Sequence, residues 1–331
     1  MEHILNTFNV VIVGQAGRLQ YEALLFALSF RATNPTFQGK LYIAEPAAND
    51  RWHFDPRIPD GPLRDMLHEQ GVIFLPFENK AFGEYYPNAN KIECLTALPK
   101  DEPFVFFDTD TLITGDIASV PFDFERPSAS LNVTGTWPEI ELYGPGYTEI
   151  WHSIYDLLGV DFTASLDLSQ PDEYWRRYSY FNAGFFYYKC PHAFGKRYLE
   201  FATTIRDTPP KAIECQTLYP WLDQIALPLV LQSFGGGRDA LPQGYLDGKI
   251  STHYRYLALF FATAPDEKIE FLMSLVGDNK VKKILKDYEP FKKFIFQNAG
   301  KKARKLFDQT ALPASERMIR KRLKNHKLWF R

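Results

Sequence analysis

Cysteine is scarce in this 331-residue chain, and Cys94, Cys190 and Cys215 follow neither a CxxC nor a metal-knuckle spacing. No disulfide framework is expected, and the three read as reduced, mostly buried thiols of a reducing compartment. No stretch approaches the roughly 18 uninterrupted apolar residues of a spanning helix. The nearest, residues 256–264, runs into Pro265, so the chain is not expected to cross a membrane. Residues 1–6 carry no basic segment followed by an apolar one, so export by that route is not expected and a cytoplasmic location is. The sequon Asn132-Val133-Thr134 would then escape glycosylation. No internal repeat and no RNA- or DNA-binding motif is present, which excludes nucleic acid as the expected partner.

Net charge is also nearly absent, with 38 Lys and Arg against 40 Asp and Glu. What is there is enough for a core: 45% hydrophobic and 16% aromatic residues rule out the composition of disorder. The neutrality hides an asymmetry. Residues 278–331 hold 17 basic and 5 acidic side chains, a balance of +12, which leaves −14 on the other 277 residues. An acidic body with a basic tail is the pattern of a chain that meets an anionic partner.

The body alternates between strand and helix periodicities. Asn9-Val10-Val11-Ile12-Val13 is a β-branched run ended by Gly14, and Leu19, Ala23, Leu24, Ala27 and Leu28 then recur at helical spacing. Residues 40–44, 72–75 and 103–107 are further short apolar runs, each bounded by Gly, Pro or Asp. Such strands, separated by helices, predict an α/β domain with a parallel sheet covered on both faces. Ligands of these sheets sit at the carboxyl ends of the strands. Residues 129–180 lose this periodicity and are rich in Trp, Tyr, Gly and Pro, which fits a binding wall as well as a structural insertion with buried aromatics. Residues 181–189 read as another central strand.

The strongest local signal is Phe104-Val105-Phe106-Phe107-Asp108-Thr109-Asp110. Two carboxylates at the end of a buried strand need a cation, because unpaired charge at that depth costs several kcal/mol. At a strand-to-loop exit both can converge on a hard divalent ion that also holds phosphates. Alone, Asp-x-Asp also occurs as a solvated loop pair; the apolar run before it favours function.

With Tyr180-Phe181-Asn182-Ala183-Gly184, Trp221-Leu222-Asp223-Gln224 and Ser251-Thr252-His253-Tyr254 following in order, the chain resembles the retaining GT-A glycosyltransferases of the bacterial lipooligosaccharide galactosyltransferase and glycogenin type. The resemblance spans about residues 8–264. It implies a GT-A fold, a Rossmann-like and mainly parallel central sheet flanked by helices, in a catalytic domain over 1–265 with a basic helical extension over 266–331. It also implies transfer of a hexose, with retention, from a nucleotide-diphosphate sugar, UDP-linked, to a glycan or glycolipid acceptor. Asp108, Asp110 and His253 would bind Mn²⁺ or Mg²⁺, the imidazole favouring Mn²⁺. Asn182 and Asp223 would hydrogen-bond the donor sugar, Gly184 would let the backbone approach, and Gln224 would lie beneath the anomeric carbon. Thr109 sits between the metal carboxylates. Lys91 matches a basic residue presented to the donor, and Gly14 and Gln15 stand where the family grips base and ribose. The Lys-Pro-Trp that commonly follows the histidine is absent, which leaves Arg255 as the substitute contact to the diphosphate.

Two other readings start from the same residues. A haloacid-dehalogenase-type phosphatase also places Asp-x-Asp after an apolar strand, with the first Asp as nucleophile, and a non-catalytic nucleotide-sugar-binding protein would need only the ligand contacts. In the tail, Val281, Ile284, Leu285, Tyr288, Phe291, Phe294 and Ile295 alternate with lysines, broken at Pro290. This amphipathic spacing predicts either helices lying on an anionic membrane surface or helices packed on the body. On the first alternative, truncation near Val276 would spare the fold.

Overall fold

The computed structural model describes residues 7–131, 134–242 and 244–330, so the sequon residues Asn132 and Val133 and residues 1–6 lie outside the described part. Strand β1 (Asn9–Val13) is wholly buried and feeds α1 (Arg18–Thr33) through Gly17, whose φ of 86° suits a residue without a Cβ. Then follow β2 (Leu41–Pro46), α2 (Pro62–Glu69), β3 (Val72–Phe77), the short α3 (Asn90–Glu93) and β4 (Phe104–Phe107). Strands β3, β2, β1 and β4 pair in parallel in that order. The apolar runs read from the sequence are these strands; β1, β2 and β4 are wholly buried because both faces are covered, while β3 at the sheet's edge is buried only at Val72 and Phe77.

Beyond β4 the sheet turns antiparallel. β5 (Thr111–Ile113) leaves it, β6 (Ala129–Leu131) and β7 (Phe181–Tyr188) extend it as its last two strands, and β7 runs antiparallel to β4. The sheet is therefore mainly, not wholly, parallel. Between β6 and β7 lies α4 (Tyr147–Leu158), with Trp137, Trp151, Tyr178 and Tyr180 buried around it. The aromatic segment is thus chiefly core; Leu142 and Tyr143, by contrast, are almost fully exposed. Next come α5 (Pro191–Asp207), α6 (Leu222–Ser233) and β8 (Ser251–His253), which pairs antiparallel with β5.

After α7 (Leu257–Thr263) of the body, the tail is a set of short helices: α8 (Asp266–Leu275), α9 (Asn279–Leu285), α10 (Glu289–Phe291), α11 (Ala299–Lys305) and α12 (Glu316–Asn325). Asp278 caps α9 by accepting from the N–H groups of Lys280 and Val281, and Pro290 sits in the first turn of α10, where its missing N–H costs nothing. Of the two alternatives for the tail, the packed one is found. Val281, Leu285, Phe291, Phe294, Ile295 and Leu323 belong to the same buried cluster as Val10, Phe26 and Phe107. Tyr288 stacks on Tyr21, Phe294 on Phe261, and Trp329 tilts against Tyr256. The expectation that truncation near Val276 spares the fold is corrected by this packing: the apolar stripe that suggested a bilayer is spent on the body. Among the described residues no helix is long and apolar enough to cross a membrane.

Candidate active site

The end of β4 is fixed by three backbone ties. The Asp108 N–H donates to the Gly184 carbonyl at 2.8 Å, so the strand's last rung is with β7. The Thr109 hydroxyl donates to the Val13 carbonyl at 2.6 Å, anchoring the turn to β1. The Tyr254 N–H donates to the Asp110 carbonyl at 2.9 Å. Because β5 and β8 pair with Thr111 opposite His253, the histidine arrives beside Asp110 from 143 residues away. Its Nε2 is 3.2 Å from Asp110 Oδ1 and 3.8 Å from Asp108 Oδ2.

One ligand atom from each of Asp108, Asp110 and His253 falls within 4.8 Å of the others. Two hard carboxylate oxygens and one imidazole nitrogen form a donor set that fits a divalent ion such as Mn²⁺. Burial disfavours a charged Asp108, and although Lys91 and His253 oppose that, the carboxyl remains above its ordinary range. Burial acts on Asp110 too, but there His253 wins and holds it low. Burial pulls the His253 ring down, and Asp110 more than offsets this. The cluster carries more acid than its neighbours neutralise. Glu22, on the first turns of α1, is buried and pushed well up by that burial and by Asp110, and its Oε2 accepts no hydrogen bond.

A second layer, behind the carboxylates, holds Lys91, Asp223, Gln224, Asn182 and Gly184. Lys91 on α3 is buried, with Nζ 2.7 Å from Asp108 Oδ1, 3.3 Å from Asp223 Oδ2 and 3.3 Å from the Ala183 carbonyl. Burial would neutralise it, but Asp108 and Asp223 keep it charged. The sequence allowed a solvated lysine here, and the structure instead makes it the bridge between two carboxylates. Asp223, in the first turn of α6, accepts from Tyr86 Oη at 2.7 Å. Gln224 beside it is half-buried, and its amide bonds to no described residue. Asn182 Oδ1 accepts from the Gly184 N–H at 2.7 Å, across Ala183 in a left-handed conformation (φ 55°). Such strain at a non-glycine costs about 1 kcal/mol and is retained where surroundings over-determine it.

Gly184 itself has no room for a side chain, since a Cβ would lie 2.5 Å from His253 Nδ1 and 2.7 Å from Asn182 Oδ1. Gly184→Ala is therefore expected to displace His253 and weaken Mn²⁺ binding by roughly 10-fold or more, as changes behind a ligand do. Calorimetric titration of Mn²⁺ checks this, and an unchanged affinity would contradict it.

Gly14 and Gln15 end β1, with Gln15 Oε1 accepting weakly from Asn90 at 3.4 Å. Arg255 (φ 59°) donates through Nη1 to Glu316 of α12 at 2.6 Å. The cation that sequence reading missed is Arg18, first residue of α1. Its Nε lies 3.5 Å from Glu22 Oε2, its guanidinium sits 5.8 Å over the Tyr256 ring, and its charge is felt by Asp110. A charged i, i+4 pair in an otherwise apolar helix was the available signal. None of these residues lines the cavity of about 1060 Å³ bounded by Leu166, Pro228, Gln232 and Arg238.

Residues 10–235 match the family described as Rhodobacterales glycosyltransferase domain. Among solved structures, galactosyltransferase LgtC in complex with donor and acceptor sugar analogues is 12% identical, covering 68% of this chain and 71% of that one, with a TM-score of 0.39. Glycosyltransferase GlyE of Streptococcus pneumoniae TIGR4, in its apo form, is 14% identical, covering 81% and 51%, with a TM-score of 0.39. The bifunctional glycosyltransferase WbbM is 13% identical, covering 69% and 38%, with a TM-score of 0.38. No curated protein matches.

Proposed function

The chain belongs to the Rhodobacterales glycosyltransferase family, and from that premise we propose that it moves a hexose from a UDP-sugar to a glycan or glycolipid acceptor, with retention at the anomeric carbon. The observation that carries the reading is the convergence of Asp108, Asp110 and His253 at the carboxyl end of β4. A divalent ion held there, Mn²⁺ by preference, would neutralise the diphosphate as it leaves.

The chain's own residues do the rest. The bond from the anomeric carbon to the phosphate oxygen breaks, the diphosphate keeps the electron pair, and the acceptor hydroxyl adds to the anomeric carbon and gives its proton to the departing diphosphate oxygen. Lys91 holds Asp108 and Asp223 in fixed positions, so that neither carboxylate swings during transfer. Asp223 and Asn182 orient the sugar through its hydroxyls, and Gln224 offers a free amide to the positive charge that develops on the ring. With Arg255 engaged by Glu316, Arg18 is the cation assigned to the diphosphate. Thr109 acts as an anchor for the turn.

The test is binding and turnover of a panel of nucleotide sugars with Mn²⁺; a panel with no binder, or full turnover in excess EDTA, would overturn the reading. Within it, Asn182→Ala is expected to weaken the UDP-sugar about 10-fold and UDP less than about 2-fold, since one hydrogen bond to the sugar is lost. Equal losses for both ligands would make Asn182 structural.

A further inference from the structure

We propose that the tail carries a binding site for the phosphate headgroup of an anionic membrane lipid. The site is a cavity of about 780 Å³ walled by Lys293, Lys302, Lys305 and Lys327, with no acidic side chain among the described residues of its lining. Phe330 and Leu328 supply an apolar side. Lys293 reaches Glu289 at 3.3 Å and lies 4.2 Å over the Phe330 ring. Lys302, Lys305 and Lys327 have no ion-pair partner among the described residues. Several like charges gathered round one hollow repel one another, and a bound anion relieves that repulsion.

The backbone adds a second observation. Helix α12 closes with the Leu328 N–H donating to the Leu323 carbonyl at 2.9 Å, which puts Lys327 at φ 55°. That position ordinarily takes glycine, and a side chain there costs about 1 kcal/mol. The fold thus spends stability to hold a lysine at the cavity's rim.

A lipid is the occupant because a phosphate beside an aromatic and aliphatic wall is the chemistry of a headgroup at its acyl boundary. The packed tail has no apolar stripe left to insert, so attachment has to come from charge and this hollow. The place also matters. Helix α12 begins at Glu316, bound to Arg255 two residues past His253, and spans about 15 Å before the rim. A headgroup in the cavity would hold the catalytic cleft close to the bilayer, where a glycolipid acceptor would lie.

The experiment uses the full chain and vesicles of phosphatidylcholine with or without phosphatidylglycerol, read by co-sedimentation at physiological salt. The intact protein is expected to bind only the doped vesicles. The triple variant K302E/K305E/K327E should bind them about 100-fold more weakly, given what each cation near an anionic surface contributes. The same charge change at exposed tail sites outside the cavity, K283E/K301E/K321E, should cost less than about 10-fold, and K302R/K305R/K327R should bind as the parent does. Equal losses in both glutamate triples would mean diffuse charge and overturn the site, as would no binding by the intact chain. Glycerol phosphate in solution that binds as tightly as the vesicles would mark a free-anion site and overturn the lipid. Because the inference does not depend on the transfer reaction, Asp110→Asn protein should sediment unchanged, and failure of one reading leaves the other standing.

Discussion

Asp110→Asn is expected to lower transfer by at least about 10³-fold while leaving the melting temperature nearly unchanged. The carboxylate lies 3.2 Å from His253 Nε2 and within ligand distance of Asp108. Asparagine keeps its volume and its backbone tie to Tyr254, and removes one of the two anionic ligands. Lewis-acid neutralisation of a departing diphosphate is worth several kcal/mol, and each 1.36 kcal/mol is tenfold in rate. The loss of stability is small because two effects partly cancel: the repulsion that Asp110 exerts on Asp108 and the buried Glu22 is relieved, while the stronger attraction of His253, which holds Asp110 low, is lost. Asp108→Asn should behave differently. It removes one of the two carboxylates that keep Lys91 charged in the interior, and an under-compensated buried ammonium costs several kcal/mol. The pair is checked by initial rates with Mn²⁺ and by thermal melts. Unchanged turnover in Asp110→Asn, or equal melting temperatures for the two variants, would remove the distinction drawn between ligand and brace.

The contrast between these two aspartates marks how far the sequence was legible. Residues 104–107 declare a buried strand by their unbroken apolar run, and that run favours a cation over a solvated loop pair for the two acids at its end, because unpaired charge at that depth is costly. The four blocks carrying the glycosyltransferase resemblance do converge: Asp108, Asp110 and His253 in one cluster, Asp223 joined to Asp108 through Lys91. A phosphatase would have needed the strand and both of its aspartates, but none of the later blocks. What the sequence hid is set by contacts made across long separations. That Tyr86 would orient Asp223 from 137 residues away, or that Glu316 would take Arg255, leaves no periodicity in either segment. The direction of β7 was hidden too, since a strand buried on both faces reads the same in either direction. The tail misled for a related reason, because an amphipathic helix carries one pattern whether its apolar face meets lipid or protein.

Deleting residues 278–331 is expected to leave an insoluble or unfolded body. The side chains of Leu285, Phe291, Phe294, Ile295, Phe307 and Leu323 are all under 9% exposed within the cluster that includes Val10 and Phe107. Burying each is worth about 1.5–3 kcal/mol, so six of them rival the about 5–15 kcal/mol that keeps a domain folded. The loss is two-sided, because Phe261, Tyr21 and Tyr256 of the body would be uncovered at the same time. The Arg255–Glu316 bond would go as well, freeing the loop behind His253. Solubility, dye binding to exposed apolar surface and thermal melting check the deletion. A graded companion is Phe294→Ala, expected to cost about 3–5 kcal/mol by opening a cavity beside Phe261. It keeps the rest of the tail in place, so it should lower the melting temperature without the insolubility of the deletion. A soluble truncated chain that melts as the parent does, together with a harmless Phe294→Ala, would show that the tail is an appendage after all.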